Sequence, residues 1–164
     1  MTHRAPGVAI RAVIPSDVPA LSALIQNTLL ISNSHDYDLR TIRTLMAAFS
    51  SQAVSRLIRQ RQMFVAQVNG RLAGVVALEA GEVYSFFVAP DRQGRGVGRE
   101  LLAFVEGRAR EQGVRHLFLS ASLTAVGFYE HLGYRRTGEV SDGRFGRTVR
   151  LVKTLSGLPR HGAL

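Results

Sequence analysis

The feature that most constrains this chain is the dipeptide Asn69-Gly70, set between two β-rich apolar runs, Met63–Val68 and Leu72–Leu78. A two-residue hairpin turn matched to the twist of its strands needs positive φ at both central positions, and Asn-Gly supplies that at least cost. The pair therefore commits the middle of the chain to antiparallel sheet. Ala80-Gly81 then turns the chain into a third run, Glu82–Val88, which stops at Pro90. The remaining segments must be arranged around this meander.

Helical periodicity appears on both sides of it. Ahead of the hairpin, a β-rich run over Val8–Ile14 leads to Pro15-Ser16-Asp17, with Ser16 as the expected N-cap. Val18, Leu21, Leu24, Ile25 and Leu29 follow at helical spacing. A second helix fits Leu39, Ile42, Leu45, Met46 and Phe49, and a shorter third fits Val54, Leu57 and Ile58. Ser32–Tyr37 is a polar loop between the first two. Behind the meander, a helix over Val97–Gln112 carries Val97, Leu101, Leu102, Val105 and Ala109 as its buried stripe. Glu106 and Arg110 are expected to pair on its outside, and Gly113 to stop it. Arg115–Ser120 reads as a strand and Thr124–Leu132 as a short helix stopped by Gly133. Tyr134–Val140 and Thr148–Leu155 read as a closing antiparallel pair around Asp142-Gly143. This order predicts an α/β (α+β) fold with a mixed sheet covered by helices. Residues 1–155 make one domain, followed by a loose tail over 156–164.

Composition removes several function classes. The 164 residues contain no cysteine, which excludes thiol nucleophiles and cysteine metal sites. The five histidines show no metal-ligand spacing, so no metal is expected. No apolar run reaches the roughly 18 residues of a membrane helix, and the N-terminal segment lacks the pattern of a signal peptide. The expectation is a soluble, cytoplasmic protein with no membrane partner. The formal charge is +9, and Lys153 is the one lysine. Such a balance fits either attraction to an anionic ligand or a solvated arginine surface. The arginines are dispersed, with modest clusters at Arg56/Arg59/Arg61 and Arg144/Arg147/Arg150, and aromatics are few. A nucleic-acid-binding domain is therefore the weakest of the readings considered.

The chemistry is concentrated at Gln93-Gly94-Arg95-Gly96-Val97-Gly98-Arg99, which joins the third strand of the meander to the long helix. Glycines let the backbone approach a ligand without Cβ clashes. Unpaired amides at the positive end of a helix dipole favour phosphate. A dinucleotide fingerprint would need glycine where Arg99 stands, and a P-loop would need a lysine that is absent. By itself the turn is equally compatible with a tight structural connection. Arg95 and Arg99 favour a pyrophosphate.

Phe86-Phe87-Val88-Ala89-Pro90-Asp91-Arg92-Gln93-Gly94-Arg95-Gly96-Val97-Gly98 resembles the acetyl-CoA signature of the GCN5-related N-acetyltransferase (GNAT) superfamily, whose core is Q/R-x-x-G-x-G/A. Phe128-Tyr129-Glu130-His131-Leu132-Gly133-Tyr134 resembles its second hallmark, F-Y-x-x-x-G-F/Y. The element order matches as well, so the resemblance spans about residues 8–155. It implies a mostly antiparallel sheet of six to seven strands flanked by helices, with a bulge splaying the strand at Phe86–Val88 from the one at Leu117–Ser120. Acetyl-CoA would be the co-substrate, bound by Phe86, Phe87, Val88, Gln93, Gly94, Arg95, Gly96, Val97, Gly98 and Arg99. Ser122 stands where many members carry an asparagine that contacts the pantetheine arm. Dimers are common in the superfamily, so a homodimer is possible.

Transfer of an acetyl group to an amine needs a deprotonated amine, a polarised carbonyl and a proton for the leaving thiolate. The motif implies Tyr129 as general acid; the alternative is a core tyrosine, with Phe128 as the neighbouring buried anchor. The amide of Phe87 or Val88, exposed by the bulge, would polarise the carbonyl. Glu82 matches the position of the catalytic glutamate in the histone-modifying members, eleven residues before Gln93; the alternative is a solvated residue at the strand start. To act as base it must have a raised pKa or work through water. Glu79, His116 and Tyr84 are weaker candidates. Asn33, Asp36 and Tyr37 in the polar loop are the expected acceptor contacts, with capping of the second helix by Asp36 or Asp38 as the alternative. The reading is an acetyltransferase acting on an unidentified amine. A coenzyme-binding regulatory module without catalysis is the second reading.

Overall fold

The computed structural model describes residues 7–142 and 146–157. Its strands are β1 (Val8–Ala12), β2 (Gln62–Val68), β3 (Arg71–Glu79), β4 (Glu82–Val88), β5 (His116–Ala121), β6 (Arg135–Asp142) and β7 (Gly146–Thr154). Its helices are α1 (Val18–Ile31), α2 (Leu39–Ala48), α3 (Ser51–Gln60), α4 (Val97–Glu111) and α5 (Val126–His131). The strands form one seven-stranded sheet in the order β1-β2-β3-β4-β5-β7-β6. All neighbours are antiparallel except β4 and β5, which run parallel. Among the described residues no helix is long and apolar enough to cross a membrane.

The long apolar runs of β2 and β3 arise because both faces of the sheet are covered. Side chains alternate between faces. Val65, Val75 and Ala77 pack with Leu21, Ile25 and Leu29 of α1 and Val54 of α3. Phe64, Ala66, Val76 and Leu78 pack on the other side with Leu101, Leu102, Val105 and Ala109 of α4. At Gly74 a Cβ would lie 2.8 Å from Leu101 Cδ1 and 3.0 Å from Phe87 O, so glycine is what lets α4 press so close to β3.

The turns follow the sequence signals. Asn69 (φ 52°) and Gly70 (φ 75°) both take positive φ, as do Ala80 (φ 47°) and Gly81 (φ 75°). Gly113 (φ 79°) and Gly133 (φ 94°) follow α4 and α5 in the left-handed region. Gly143 and residues 158–164 lie outside the described residues, so the β6–β7 turn and most of the expected tail are not described; Asp142 pairs with Gly146.

Two local expectations are corrected. Ser16 does not cap α1: a 3₁₀ turn over Pro15–Asp17 precedes the helix, and Asp17 occupies the cap position. The Asp17 carboxylate accepts from Ile14 N (2.9 Å) and from both terminal nitrogens of Arg11 (2.7 and 2.8 Å). The fork of Arg11 holds the Asp17 carboxyl below the ordinary aspartate value, and burial opposes it. The second correction concerns Glu106, which is only 7% exposed rather than on the outer face. The segment after α5 and strand β7 close over that side of α4. Glu106 there accepts from the Tyr134 hydroxyl (3.0 Å) and from Lys153 Nζ (3.0 and 3.1 Å), with Arg110 at 3.9 Å.

Candidate active site

β4 and β5 part soon after they meet. They pair at Glu82↔Phe118 and Val83↔Leu119, and Phe118 N donates to Gly81 O at 3.0 Å. Beyond that the register of β4 on β3 slips between Val75 and Ala77. Ser85 takes φ 49°, and the bulge spans Ser85 and Phe86 opposite Val76, just ahead of the splayed Phe87 and Val88. The divergence opens a cleft of about 620 Å³ lined by β4, the end of β5, the C-terminal end of α1, the start of α4, and α5.

The same register identifies the backbone donor. Ala89 N donates to Ala73 O at 2.8 Å, which makes that pair the hydrogen-bonded one. Alternation along an antiparallel ladder makes Gly74↔Val88 the non-hydrogen-bonded pair. The N–H and C=O of Val88 therefore face away from β3, toward the cleft. Of the two expected amides, Val88 is the free one and Phe87 belongs to the ladder.

The glycine-rich turn forms one end of the cleft. Gly94 (φ 72°) and Gly96 (φ 87°) hold left-handed conformations, and Gly96 is the N-cap of α4. The first helical bond runs from Glu100 N to Gly96 O at 3.0 Å, so the amides of Val97, Gly98 and Arg99 have no acceptor within the helix. A Cβ on Gly98 would sit 3.3–3.4 Å from Val88, Phe128 and Phe86, filling the cradle. These amides, the open backbone and the Arg99 cation fit a pyrophosphate-bearing ligand such as coenzyme A. Gln93, Gly94, Gly96, Gly98 and Arg99 line the cleft, whereas Arg95 does not and Val97 is buried in the core at 2% exposure. The Val97 side chain belongs to the stripe that packs α4 on the sheet, leaving only its amide for a ligand.

The side chain of Gln93 is engaged within the protein. Its Nε2 donates to Ser32 Oγ (2.9 Å) and to Val88 O (3.0 Å), tying the end of α1 to β4. Ser122 lines the cleft ahead of the 3₁₀ turn Leu123–Ala125, and its side chain caps nothing there. In the polar loop, Asn33 and Tyr37 line the cleft. Asp36 does not. It accepts from Thr124 Oγ1 at 2.6 Å, joining the loop to the turn after β5. Asp38 is the residue that caps α2, accepting from Thr41 N at 2.7 Å.

Phe128 is not the buried anchor expected of it; Tyr129 is the more buried of the two and still borders the cleft. Phe128, which also borders it, is 39% exposed and Tyr129 6%. α5 is a single short helix, and its buried side falls on Val126 and Tyr129. The Tyr129 ring meets Phe86, Phe128 and Tyr134 at centroid distances of 5.9, 5.2 and 5.9 Å. Burial pushes its phenol well above the ordinary tyrosine value, so it stays protonated at neutral pH. Glu82 also lines the cleft, but Arg150 Nη1 donates to its Oε1 at 2.7 Å. That guanidinium, helped by the Tyr84 hydroxyl, holds the Glu82 carboxyl below its ordinary value against the pull of burial. Glu82 thus lacks the raised pKa that direct proton abstraction would call for. Of the weaker base candidates, Tyr84 lines the cleft under the Arg61 guanidinium, 3.9 Å from its ring. Glu79 pairs with Arg61 at 2.8 Å, and His116 stands 3.3 Å from Thr154 Oγ1; neither borders the cleft.

This geometry agrees with the comparisons. Residues 33–155 match the model of the acetyltransferase (GNAT) domain. The chain belongs to the GNAT family. An uncharacterized N-acetyltransferase of Methanocaldococcus jannaschii is 33% identical, over 43% of this chain and 38% of its own length. The chain thus spans well under half of that relative. A GCN5-related N-acetyltransferase from Rhodopseudomonas palustris superposes with a TM-score of 0.85 at 22% identity, covering 94% of this chain and all of that one. The PaiA N-acetyltransferase of Thermoplasma acidophilum, solved with coenzyme A, superposes at 0.77 with 16% identity, over 90% and 98% of the two chains. The GNAT fold and its seven-stranded sheet are therefore those of this chain.

Several residues of this GNAT cleft carry no sequence signal. Ser85 bears the bulge without glycine or asparagine to mark it. Arg150 reaches Glu82 only because β7 lies beside β5 and opposite its parallel partner, a neighbourhood that long-range pairing creates. Thr28, Leu45 and Phe49 enter the lining from helices whose periodicity shows only that one face is buried. The cap signal of Asp38 was readable, and it would have separated Asp38 from Asp36.

Proposed function

We propose that this chain is an N-acetyltransferase that transfers an acetyl group from acetyl-CoA to a primary amine by direct attack in a ternary complex. Residues 1–155 act as one catalytic domain. The observation that carries the reading is the convergence in one cleft of the glycine-rich start of α4, the outward Val88 amide and Tyr129.

The amides of Val97, Gly98 and Arg99, with the Arg99 guanidinium, hold the coenzyme's pyrophosphate, and Phe86, Phe87, Val88 and Ser122 flank its arm. Bound acetyl-CoA supplies the activated thioester. The Val88 N–H donates to the thioester carbonyl oxygen, where negative charge grows during attack. One such donor is typically worth about 3 kcal/mol in the transition state. Tyr129 Oη donates a hydrogen bond to the departing sulfur. Its phenol is a weaker acid than the thiol it serves, since reference values are about 10 and 8.5. The hydrogen bond to the developing thiolate is therefore its main contribution. Glu82, kept anionic by Arg150, receives the amine's proton through water rather than directly. Asn33 and Tyr37 face the incoming amine.

Free thiol release from acetyl-CoA, followed across a panel of amines, tests the reading. The expected result is turnover with at least one amine class and loss of turnover in Tyr129→Phe. A protein that binds acetyl-CoA and acetylates none of the amines would instead be a coenzyme-binding module.

A further inference from the structure

Charge in this chain is segregated. The 40 residues from 39 to 78 contain six arginines (Arg40, Arg43, Arg56, Arg59, Arg61, Arg71) and no Asp or Glu, against a whole-chain charge of +9. Among the described residues only Arg61 of these six forms an ion pair, with Glu79. Six acids elsewhere form ion pairs of their own: Asp17 with Arg11, Glu82 with Arg150, Glu106 with Lys153, Glu111 with Arg108, Glu130 with Arg136 and Glu139 with Arg147. Residues 1–6, 143–145 and 158–164 contain no Asp or Glu. Of the five without an ion pair, Arg40, Arg43, Arg56 and Arg59 lie exposed on α2 and α3, and Arg71 starts β3.

Between these two helices runs a groove of about 650 Å³, separate from the catalytic cleft. Arg43 and Thr44 of α2 and Arg56 and Gln60 of α3 supply its polar edges; Ala47, Ala48, Ala53 and Leu57 make its apolar part. Leu45 and Phe49, on and just after α2, line the catalytic cleft, so the groove lies one helix away from it.

We propose that this groove docks an acidic segment of a polypeptide, carboxylates on Arg43 and Arg56 and small apolar side chains against Leu57 and the alanines. Arginine forks match carboxylates well. The apolar part favours a peptide over a polynucleotide, whose exposed backbone offers sugar and phosphate, and no aromatic residue is present in the groove to stack bases. The inference goes beyond the acetyltransferase reading and stands apart from it, since it requires neither coenzyme nor turnover.

The test is fluorescence anisotropy of a short fluorescein-labelled peptide alternating glutamate and leucine. It is titrated with the full chain, with an Arg43→Gln/Arg56→Gln double variant, and with Arg115→Gln/Arg135→Gln, which removes the same charge from other exposed positions. Saturable binding is expected, weakened at least tenfold in the first variant and changed less than about threefold in the second. A peptide with glycine in place of leucine should bind more weakly, because the apolar contact is gone. The proposal is overturned if the glutamate–leucine peptide does not bind, if both double variants weaken it equally, or if an oligothymidylate binds through Arg43 and Arg56 in its place. Acetyl-CoA affinity, measured on the same preparations, reports on the catalytic site independently.

Discussion

In the proposed mechanism, Tyr129 is the residue on which the chemistry turns. Its ring is fixed by three aromatic neighbours, so Tyr129→Phe removes a hydroxyl without disturbing packing. A positioned proton donor contributes about 10²–10⁴-fold. The expected outcome is a fall in kcat in that range, with acetyl-CoA affinity changed less than about tenfold, read from steady-state rates and calorimetry. An unchanged kcat would return Tyr129 to the role of a core residue. Glu82 offers a pH readout. Its folded pKa is depressed by Arg150, so it remains anionic as pH falls to below the ordinary glutamate range. Arg150→Gln removes that depression. The acid limb of the pH–rate profile should then move to higher pH, and Glu82→Gln should flatten it. A limb unmoved by Arg150→Gln would mean that another group titrates there. Asp17 carries the same sign into stability: its contribution is present above the ordinary aspartate value and is lost as pH falls through the depressed one. Asp17→Asn should lower Tm at neutral pH and narrow its difference from the parent protein in acid.

At the scale of elements, Gly74 and the β4 bulge do most to shape the site. Gly74→Ala drives a methyl group into Leu101 and the Phe87 carbonyl, and overpacking of this kind costs about 1–3 kcal/mol. A lowered midpoint in urea, with unchanged slope, is the expected result. The elements themselves were legible because their signals are local. Asn69-Gly70 announced a hairpin, the stripe from Val97 to Ala109 a helix, and the glycines after Gln93 an open helix start. What escaped is set by partners distant in sequence. Glu106 looked like a surface residue because nothing near it predicts Tyr134 and Lys153 closing over α4. Phe128 was expected to be buried because the six-residue helix α5 has too short a period to show which side faces in. Ser85 took the bulge without a residue type that prefers positive φ.

For the whole molecule, the sheet acts as a frame that opens where its one parallel pair diverges, and α1, α4 and α5 close the opening. The central claim is that acetyl-CoA occupies this opening with its pyrophosphate on the glycine-rich start of α4. Calorimetric titration of acetyl-CoA into the parent protein and Gly96→Val tests it most directly. At φ 87° a valine strains the N-cap and brings a branched side chain to the cradle. The prediction is one-site binding by the parent protein and affinity at least tenfold weaker in a variant whose circular dichroism is unchanged. Equal affinity in a folded Gly96→Val protein, or no binding by the parent, would contradict it.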